Sequence, residues 1–468
     1  MSNQNAPSDL RDEQAAPRIE DSATVVFQTA RGIAVKLLSR YENSDSYIDK
    51  MLDGELRRTE LEAADRALVT ELVNGCVRWQ SRLDWVLMGF YHGEFAKCMP
   101  IVKNSLRIAL YQMMFLSKIP APAAINESVE LVKRIKGDRH AGVVNGVLRN
   151  ILRNLQSIRY PDRNENEVLY LSVHTAHPQW LVRRYLDRFG SEQAEALLSA
   201  NNQRPMLTLR VNGLKTSLET VERELTEADI KFEVSPVHPS SLLVTSLRDV
   251  RGLTLFAEGH VSVQDASASL AVQLASPKPG MSVIDLCAAP GGKAVMAAEL
   301  MQNKGSVIAL EKYESKLQFI RDNAARSGVS IISPLQGDAR EYASAEGADI
   351  VLVDAPCTGL GTLSKKPDIK WRRQIDDIRK MVQTQRAILE NAAKLVKVGG
   401  CIVYSTCTVE PEENTETIAW FLGSHANFSL DPAESKLPAD VCQDGYLQTF
   451  PHKHRSDGAF AARLVRTA

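Results

Sequence analysis

The sequence predicts a multidomain protein with an all-α domain, a small α+β linker domain and an α/β domain built on a largely parallel, doubly wound sheet. Three observations predict this organisation. Residues 24–157 carry apolar residues at helical spacing. Residues 206–246 hold two segments that alternate in the manner of β-strands. From about residue 266 onward, short apolar runs alternate with helical segments, which is the rhythm of a parallel sheet with crossover helices.

Composition limits the classes of protein to consider. The chain has 468 residues, 44% hydrophobic residues, 24% charged residues and a formal net charge of −1, as in ordinary globular proteins. No apolar run approaches the roughly 20 residues of a membrane span. The polar segment 1–23 lacks the apolar core of a signal peptide and is predicted to be a disordered tail. We therefore expect a cytoplasmic, monomeric protein with no membrane partner.

The cysteine pattern bears on metals and redox state. The seven cysteines are widely spaced and form no CxxC pair, so we expect no metal site. In a reducing compartment the cysteines are expected to be free thiols.

The helical domain is predicted over 24–160, with about six helices. One helical segment covers 61–91, and prolines at 100, 120 and 122 separate later ones. Basic residues are frequent over 133–163, where they indicate either a nucleic-acid patch or a solvated charged face.

The linker domain is predicted over 161–265 and the α/β domain over 266–468. Four nearly continuous apolar runs are expected as strands buried on both faces. A helical segment over 374–400 is expected to end at Gly399 and Gly400. The four strand runs are 282–287, 306–311, 348–354 and 401–406.

Acidic residues follow successive strands of the α/β domain. Between the runs 306–311 and 348–354 a further strand is expected to end at Gly337 and Asp338, so the sheet has five strands in chain order. Glu311, Asp338 and Asp354 come at the ends of the second, third and fourth of these strands. Ligands of such sheets bind at the carboxyl ends of the strands. Three acids there suit a ligand with hydroxyl groups, an amine and an adenine, and S-adenosylmethionine has all three. The alternative is that these acids cap helices.

The exit from the first strand is a glycine turn that permits close backbone approach to a ligand. The turn matches neither GxGxxG nor a phosphate-binding GxxxxGK[ST] loop. Its residues, which we assign to the same cofactor site, are Cys287, Ala288, Ala289, Pro290, Gly291, Gly292 and Lys293.

Two cysteines follow the fourth and fifth strands. Cys357 and Cys407 should therefore lie at one edge of the sheet. A thiolate that adds to C6 of cytosine makes C5 nucleophilic enough to attack a methylsulfonium. A carboxylate such as Asp354 would stabilise the adduct. The alternative for each cysteine is a buried structural thiol.

The loop 363–373 carries five basic residues against one acid. Lys365, Lys366, Lys370 and Trp371 are candidates to bind RNA, with Trp371 as a stacking residue for an unstacked base. The alternatives are a solvated charged face for the lysines and hydrophobic packing for Trp371.

Three motifs carry a family resemblance. The segments "DLCAAPGGK", "DAPCTGLGT…PDIKW" and "YSTCTVEPEEN" resemble the RNA 5-methylcytosine methyltransferase family. The helical segments resemble the NusB fold, which one branch of that family carries in front of a Rossmann-like methyltransferase domain. The resemblance implies S-adenosylmethionine as cofactor, Cys407 as the nucleophile on C6 and Cys357 as the thiol that assists product release.

The resemblance also implies a substrate. In this branch the substrate is a cytidine of small-subunit ribosomal RNA, expected to be 16S rRNA. Two alternatives stay open at this stage. One is the same chemistry on transfer RNA, and the other is an RNA-binding module for ribosome assembly or antitermination in which catalysis is secondary.

Overall fold

The computed structural model describes residues 26–245, 247 and 250–468. These residues fall into two compact units whose boundary lies between Asp162 and Arg163. The expected disordered tail, 1–23, lies outside the described residues. The domain limits 24–160, 161–265 and 266–468 remain predictions.

The first unit is helical, and its described residues form no β-strand. The predicted helical segment 61–91 contains two helices, because the backbone leaves helical geometry at Trp79 (φ −104°, ψ 16°). The helices described in full are α1 (Ala30–Tyr41), α2 (Ile48–Arg58), α3 (Ala63–Arg78), α4 (Gln80–Phe90), α5 (Pro100–Phe115), α6 (Ala121–Lys136) and α7 (Asp138–Asn154).

The core of the first unit combines apolar packing with one ion-pair cluster. Ile33, Leu72 and Leu106 are fully buried, and each such side chain contributes about 1.5–3 kcal/mol by leaving water. Arg107, on α5, binds Asp84 through two hydrogen bonds of 2.7 Å.

The second unit begins with helices and a small antiparallel sheet. The strand order of this sheet is β2-β3-β1-β4, which confirms the predicted α+β region. Its elements are α8 (Glu167–His174), α9 (Gln179–Ala200, interrupted at Gly190), β1 (Leu207–Val211), α10 (Leu218–Glu227), β2 (Phe232–Val234), β3 (Ser241–Val244), α11 (Thr254–Ala257) and β4 (Val261–Val263).

A nine-stranded mixed sheet with helices forms the rest of this unit. Its elements are α12 (Ala266–Ala275), β5 (Ser282–Asp285), α13 (Gly292–Leu300), β6 (Ser306–Glu311), α14 (Glu314–Ser327), β7 (Ile332–Gln336), β8 (Ala348–Asp354), α15 (Ile369–Arg372), α16 (Ile375–Leu395), β9 (Val396–Thr406), α17 (Thr415–Ser424), β10 (Phe428–Asp431), β11 (Cys442–Gln443), β12 (Tyr446–Gln448), α18 (Pro451–His454) and β13 (Phe460–Arg466).

The order of the large sheet is β11-β12-β13-β9-β8-β5-β6-β7, with β10 paired to β13. Strands β5 to β9 run parallel, and the remaining pairings are antiparallel. The expected α/β fold with a largely parallel sheet is therefore confirmed. Helix α16 ends at Leu395 and not at Gly399, because β9 already begins at Val396 and includes both glycines.

The parallel strands are covered on both faces, as their continuous apolar sequences predict. Along β8, Ile350 and Leu352 pack into one hydrophobic cluster, whereas Val351 and Val353 pack into another. Alternate residues of a strand point to opposite faces, so each face has its own core. Because the strands are parallel, their carboxyl ends meet at one edge, and the polar residues that follow them converge there.

No described helix is both long and apolar enough to cross a membrane. Among the residues that the structure describes, no group of three or more His, Cys, Asp or Glu side chains is arranged to hold a metal ion.

Candidate active site

The turn between β5 and α13 has a glycine for a conformational reason. Gly291 has a φ of +108°, and its N–H donates to the Ala288 carbonyl at 2.6 Å. A Cβ atom at this position would lie 3.2 Å from Cα of Ile320 on α14. The glycine thus permits the left-handed turn and the close packing of α14, and the turn leads into the N-terminal end of α13.

Asp285, the last residue of β5, is a site residue that the sequence analysis missed. Its side chain is buried, and Oδ1 accepts a hydrogen bond from the Cys287 N–H at 3.3 Å. Oδ2 has no hydrogen-bond partner among the described residues. Burial and the nearby Asp354 raise the pKa of Asp285 to about 7. The rule that ligands bind at the carboxyl ends of the strands, which predicted the other acids, would also have predicted Asp285.

Two of the expected acids follow the next strands and differ in their partners. Glu311, at the end of β6, accepts the Tyr313 N–H at 3.0 Å. Asp338, beyond β7, forms hydrogen bonds of 2.9 and 2.6 Å with the Arg340 guanidinium. These hydrogen bonds hold the pKa of Asp338 well below its usual range. Asp338 is therefore ionised and already engaged by a neighbouring cation.

Lys293 and Asp354 join the turn after β5 to the end of β8. The Lys293 Nζ lies 2.7 Å from Asp354 Oδ2, and the Ser405 hydroxyl donates to Asp354 Oδ1 at 3.2 Å. Burial disfavours the ammonium, but the attraction of Asp354 and Asp285 outweighs it and raises the pKa of Lys293. The pair keeps a positive charge beside the carboxylates at this edge.

The two strand-end thiols lie in contact. Cys357 Sγ is 3.1 Å from Cys407 Sγ, and neither cysteine is in a disulfide. The hydrogen bond between them, together with burial, raises the pKa of the Cys357 thiol well above its ordinary value. Cys357 therefore holds its proton and can donate it toward the Cys407 sulfur.

Two of the lysines expected to bind RNA have internal partners. Lys365 Nζ lies 2.5 Å from Asp265 and 2.9 Å from Asp457. Lys370 is buried, and its ammonium donates to Asn202 Oδ1 at 3.0 Å. Neither ammonium group is available to a phosphate in this conformation, because carboxylates and an amide from distant segments already bind them.

The other two RNA-binding candidates of this loop, Lys366 and Trp371, differ from the two lysines with internal partners. Lys366 is exposed. Trp371 is half-buried, and the Lys370 ammonium lies 5.4 Å from its ring centroid. Of the four, Lys366 and Trp371 remain candidates for contact with RNA.

Comparison with known families accounts for most of the chain. Residues 28–153 match the NusB family, residues 177–251 match the ferredoxin-like domain of RsmF/B-like methyltransferases, and residues 272–465 match the 16S rRNA methyltransferase RsmB/F family. These matches fall on the helical unit, the small antiparallel sheet and the large sheet.

Individual proteins match over nearly the full length. The Bacillus subtilis (strain 168) protein named "Probable ribosomal RNA small subunit methyltransferase B" is 38% identical, over 93% of this chain and 98% of that protein. "Ribosomal RNA small subunit methyltransferase B" of Yersinia pseudotuberculosis serotype O:1b (strain IP 31758) is 33% identical, with the same two coverages. The crystal structure of PH0851 is 29% identical, with a TM-score of 0.79 over 94% of this chain and 99% of that one.

The fold and these matches define an S-adenosylmethionine-dependent RNA methyltransferase. The predicted order of a NusB-like domain, a small linker domain and a Rossmann-like domain is confirmed. The chain belongs to the ribosomal RNA small subunit methyltransferase B family.

Proposed function

We propose that the protein methylates C5 of a cytidine in 16S ribosomal RNA through a covalent bond between Cys407 and C6 of the base. The observation that carries this proposal is the pair of free thiols, 3.1 Å apart, at the carboxyl edge of the sheet. A carbon of a pyrimidine ring needs nucleophilic activation before it can be methylated, whereas an amine or a hydroxyl does not. A cysteine nucleophile supplies that activation.

The residues around the β5–α13 turn fit S-adenosylmethionine. Glu311 suits the ribose hydroxyls, and the unpartnered Oδ2 of buried Asp285 can accept a hydrogen bond from an amine. Cys287 to Lys293 would form the wall of the cofactor site, with Asp338 and Asp354 at its rim. When bound, S-adenosylmethionine supplies a methyl group on a sulfonium. The chain's own residues position the base, activate it and move its protons.

In the first step the Cys407 thiolate adds to C6 of the base. The new C–S bond places an electron pair over C5 and N3, which makes C5 the nucleophile toward the methyl group that S-adenosylmethionine would supply, and the sulfonium would leave as a neutral thioether. Asp354, which is bound by Lys293 and Ser405, would stabilise the adduct from a position beside N3 or the exocyclic amine of the base. The base must leave its stack to enter the site, as is usual for enzymes that modify nucleobases.

In the second step Cys357 assists release. Its sulfur takes the proton from C5 while its own proton passes to the Cys407 sulfur. The C5–H bond pair becomes the C5–C6 double bond, and the C6–S bond breaks. The product is 5-methylcytosine, Cys407 is left as a thiol, and it returns to thiolate by losing one proton to solvent. The contact between the sulfur atoms supports this relay.

The experiment is bisulfite mapping of total RNA from cells with the gene, without it, and with a Cys407→Ala copy. Methylated cytosine resists bisulfite deamination, so one small-subunit rRNA cytidine should be protected only in the first strain. A lost signal in transfer RNA would redirect the proposal to that substrate. Unchanged protection at every RNA position in the deletion strain would contradict it.

A further inference from the structure

A buried carboxylate connects the two loops that carry the thiols. Glu413 lies just before α17 and its side chain is inaccessible to solvent. Its Oε1 accepts hydrogen bonds from the Thr358 N–H at 2.8 Å and from Gln385 Nε2 at 3.0 Å. Its Oε2 accepts one from the Thr358 hydroxyl at 2.5 Å. Burial raises the pKa of Glu413, whereas the hydrogen bonds from Thr358 and Gln385 act in the opposite direction. Three donors on two oxygens are the partners of an ionised carboxylate.

The partners of Glu413 are the immediate neighbours of the thiols. Thr358 follows Cys357, and its hydroxyl lies 3.0 Å from the hydroxyl of Thr408, which follows Cys407. The backbone carbonyl of Glu413 also accepts the Tyr404 hydroxyl at 2.7 Å. One residue therefore holds the loop after β8, the loop after β9 and a side chain of β9 itself.

We propose that Glu413 is a positioning residue that keeps the two sulfur atoms at hydrogen-bonding distance and makes Cys357 the proton donor of the release step. This inference rests on the proposed function. That Glu413 keeps the two sulfur atoms at hydrogen-bonding distance follows from the contacts above. That it makes Cys357 the proton donor follows from charge, because a buried anion beside a thiol disfavours the thiolate.

The surroundings of Cys357 are consistent with that effect. After the hydrogen bond to Cys407, burial and the charge of Cys407, the charge of Glu413 is a further cause of the raised pKa of Cys357. Other titratable or charged groups also face this cluster, namely Cys407, Tyr404, Tyr185, Asp354, Lys293, Arg373 and Arg386. Replacing Glu413 by a neutral residue removes one negative charge, so the pKa of Cys357 should fall.

Glu413→Gln separates charge from shape. The amide oxygen can accept the hydrogen bonds from Thr358 N–H and Gln385, and the amide nitrogen can donate to the Thr358 oxygen, which then donates to Thr408. Glu416→Gln is the matched control, because Glu416 is an exposed acid three residues further on. The full-length variants are compared by thermal unfolding to show that each one folds.

The first readout is the rate at which iodoacetamide alkylates Cys357 as a function of pH, followed by peptide mass spectrometry. The midpoint should move to lower pH in Glu413→Gln and stay in place in Glu416→Gln. This readout needs neither RNA nor turnover, so it tests the inference even if the RNA substrate is different. An unmoved midpoint in a folded Glu413→Gln protein would overturn the inference.

The second readout is methylation of a small-subunit rRNA transcript across a pH series. The alkaline limb of the release rate should shift to lower pH in Glu413→Gln, with more covalent protein–RNA complex at high pH. Glu413→Ala, which also loses the hydrogen bonds, should lose about 100-fold in turnover through misplacement of the thiols. A wild-type protein that neither methylates RNA nor forms the complex would refute the proposed function and with it the release step, whereas the alkylation midpoint would still show whether Glu413 controls the Cys357 thiol.

Discussion

Cys357 of the thiol pair and the basic loop 363–373 both follow β8, yet only the thiol pair matches what its local sequence predicts. Cys357 and Cys407 meet at 3.1 Å, as two residues at neighbouring strand ends should. Lys365, eight residues after Cys357, is bound by Asp265 and Asp457. Strand ends fix where a side chain lies, whereas the partners of a loop charge can come from segments about 100 residues away.

The largest expected effect tests the thiol side of this comparison. Cys407→Ala should lower methyl transfer by about 10⁴-fold or more, because loss of a covalent nucleophile removes the reaction path itself. Binding of RNA and of S-adenosylmethionine should be retained, as measured by calorimetry and filter binding. Cys401→Ala, a change to a buried cysteine inside β9, is the control and should retain methyl transfer in the folded protein. Comparable activity in Cys407→Ala and wild type would make Cys407 a structural thiol.

The next effect tests the basic loop. Lys365→Met should lower the free energy of unfolding by about 2–3 kcal/mol, since it leaves Asp265 and Asp457 without their shared cation. This loss is smaller than that expected for a fully buried ion pair, because the lysine is partly exposed. Lys366→Met, at the exposed neighbouring position, should change it by less than about 0.5 kcal/mol. Urea denaturation measures both. Equal effects would mean that the internal ion pairs contribute nothing to stability.

The ion pairs of Lys365 with Asp265 and Asp457 also predict that stability depends on pH. Burial and repulsion from Asp265 raise the pKa of Asp457 to about 7, above the value of an unfolded chain near 3.9. A carboxyl group with a raised pKa in the folded state stabilises fully below about pH 4, and that contribution is lost as the pH rises through about 7. The contribution of Asp457 should therefore fall between pH 4 and pH 7, whereas His238 and His452, whose pKa burial lowers to about 4, contribute with the opposite sign. Asp457→Asn should remove the Asp457 contribution from the slope, although Asp285 contributes a part of the same sign. An identical slope in the variant would refute the assignment.

The smallest expected effect concerns the salt dependence of RNA affinity. Lys366→Met should reduce the log–log salt slope of RNA affinity by about 1, because one exposed cation contacts one phosphate. Lys370→Met should not reduce it, since its ammonium binds Asn202. A reduced slope in Lys370→Met alone would show that the loop rearranges when RNA binds.

The sequence predicted the strands well because buried parallel strands are short, apolar and bounded by polar residues. The limits of β6 and β8 match the runs 306–311 and 348–354. One helix end was predicted wrongly, because β9 begins at Val396 and continues through Gly399 and Gly400. Val396 pairs with Ala348 of β8, and helical periodicity does not report such long-range pairing. The helical segment 61–91 is interrupted at Trp79, without a proline or glycine at that position.

In the candidate site, too, some residues could be predicted from the sequence and others could not. The strand-end acids and thiols could be placed from the order of strands alone. Glu413 could not, because its role depends on hydrogen bonds to Thr358 and Gln385, 55 and 28 residues away. Asp285 could have been found by the strand-end rule, because it is the last residue of β5.

The most direct test of the account is denaturing electrophoresis of the protein after incubation with small-subunit rRNA transcript and S-adenosylmethionine. Cys357→Ala should accumulate a covalent protein–RNA complex, because the bond from Cys407 to C6 forms but the relay that breaks it is gone. The double variant Cys357→Ala/Cys407→Ala should show no complex. A complex that appears in Cys407→Ala and is absent from Cys357→Ala would reverse the two roles and contradict the account.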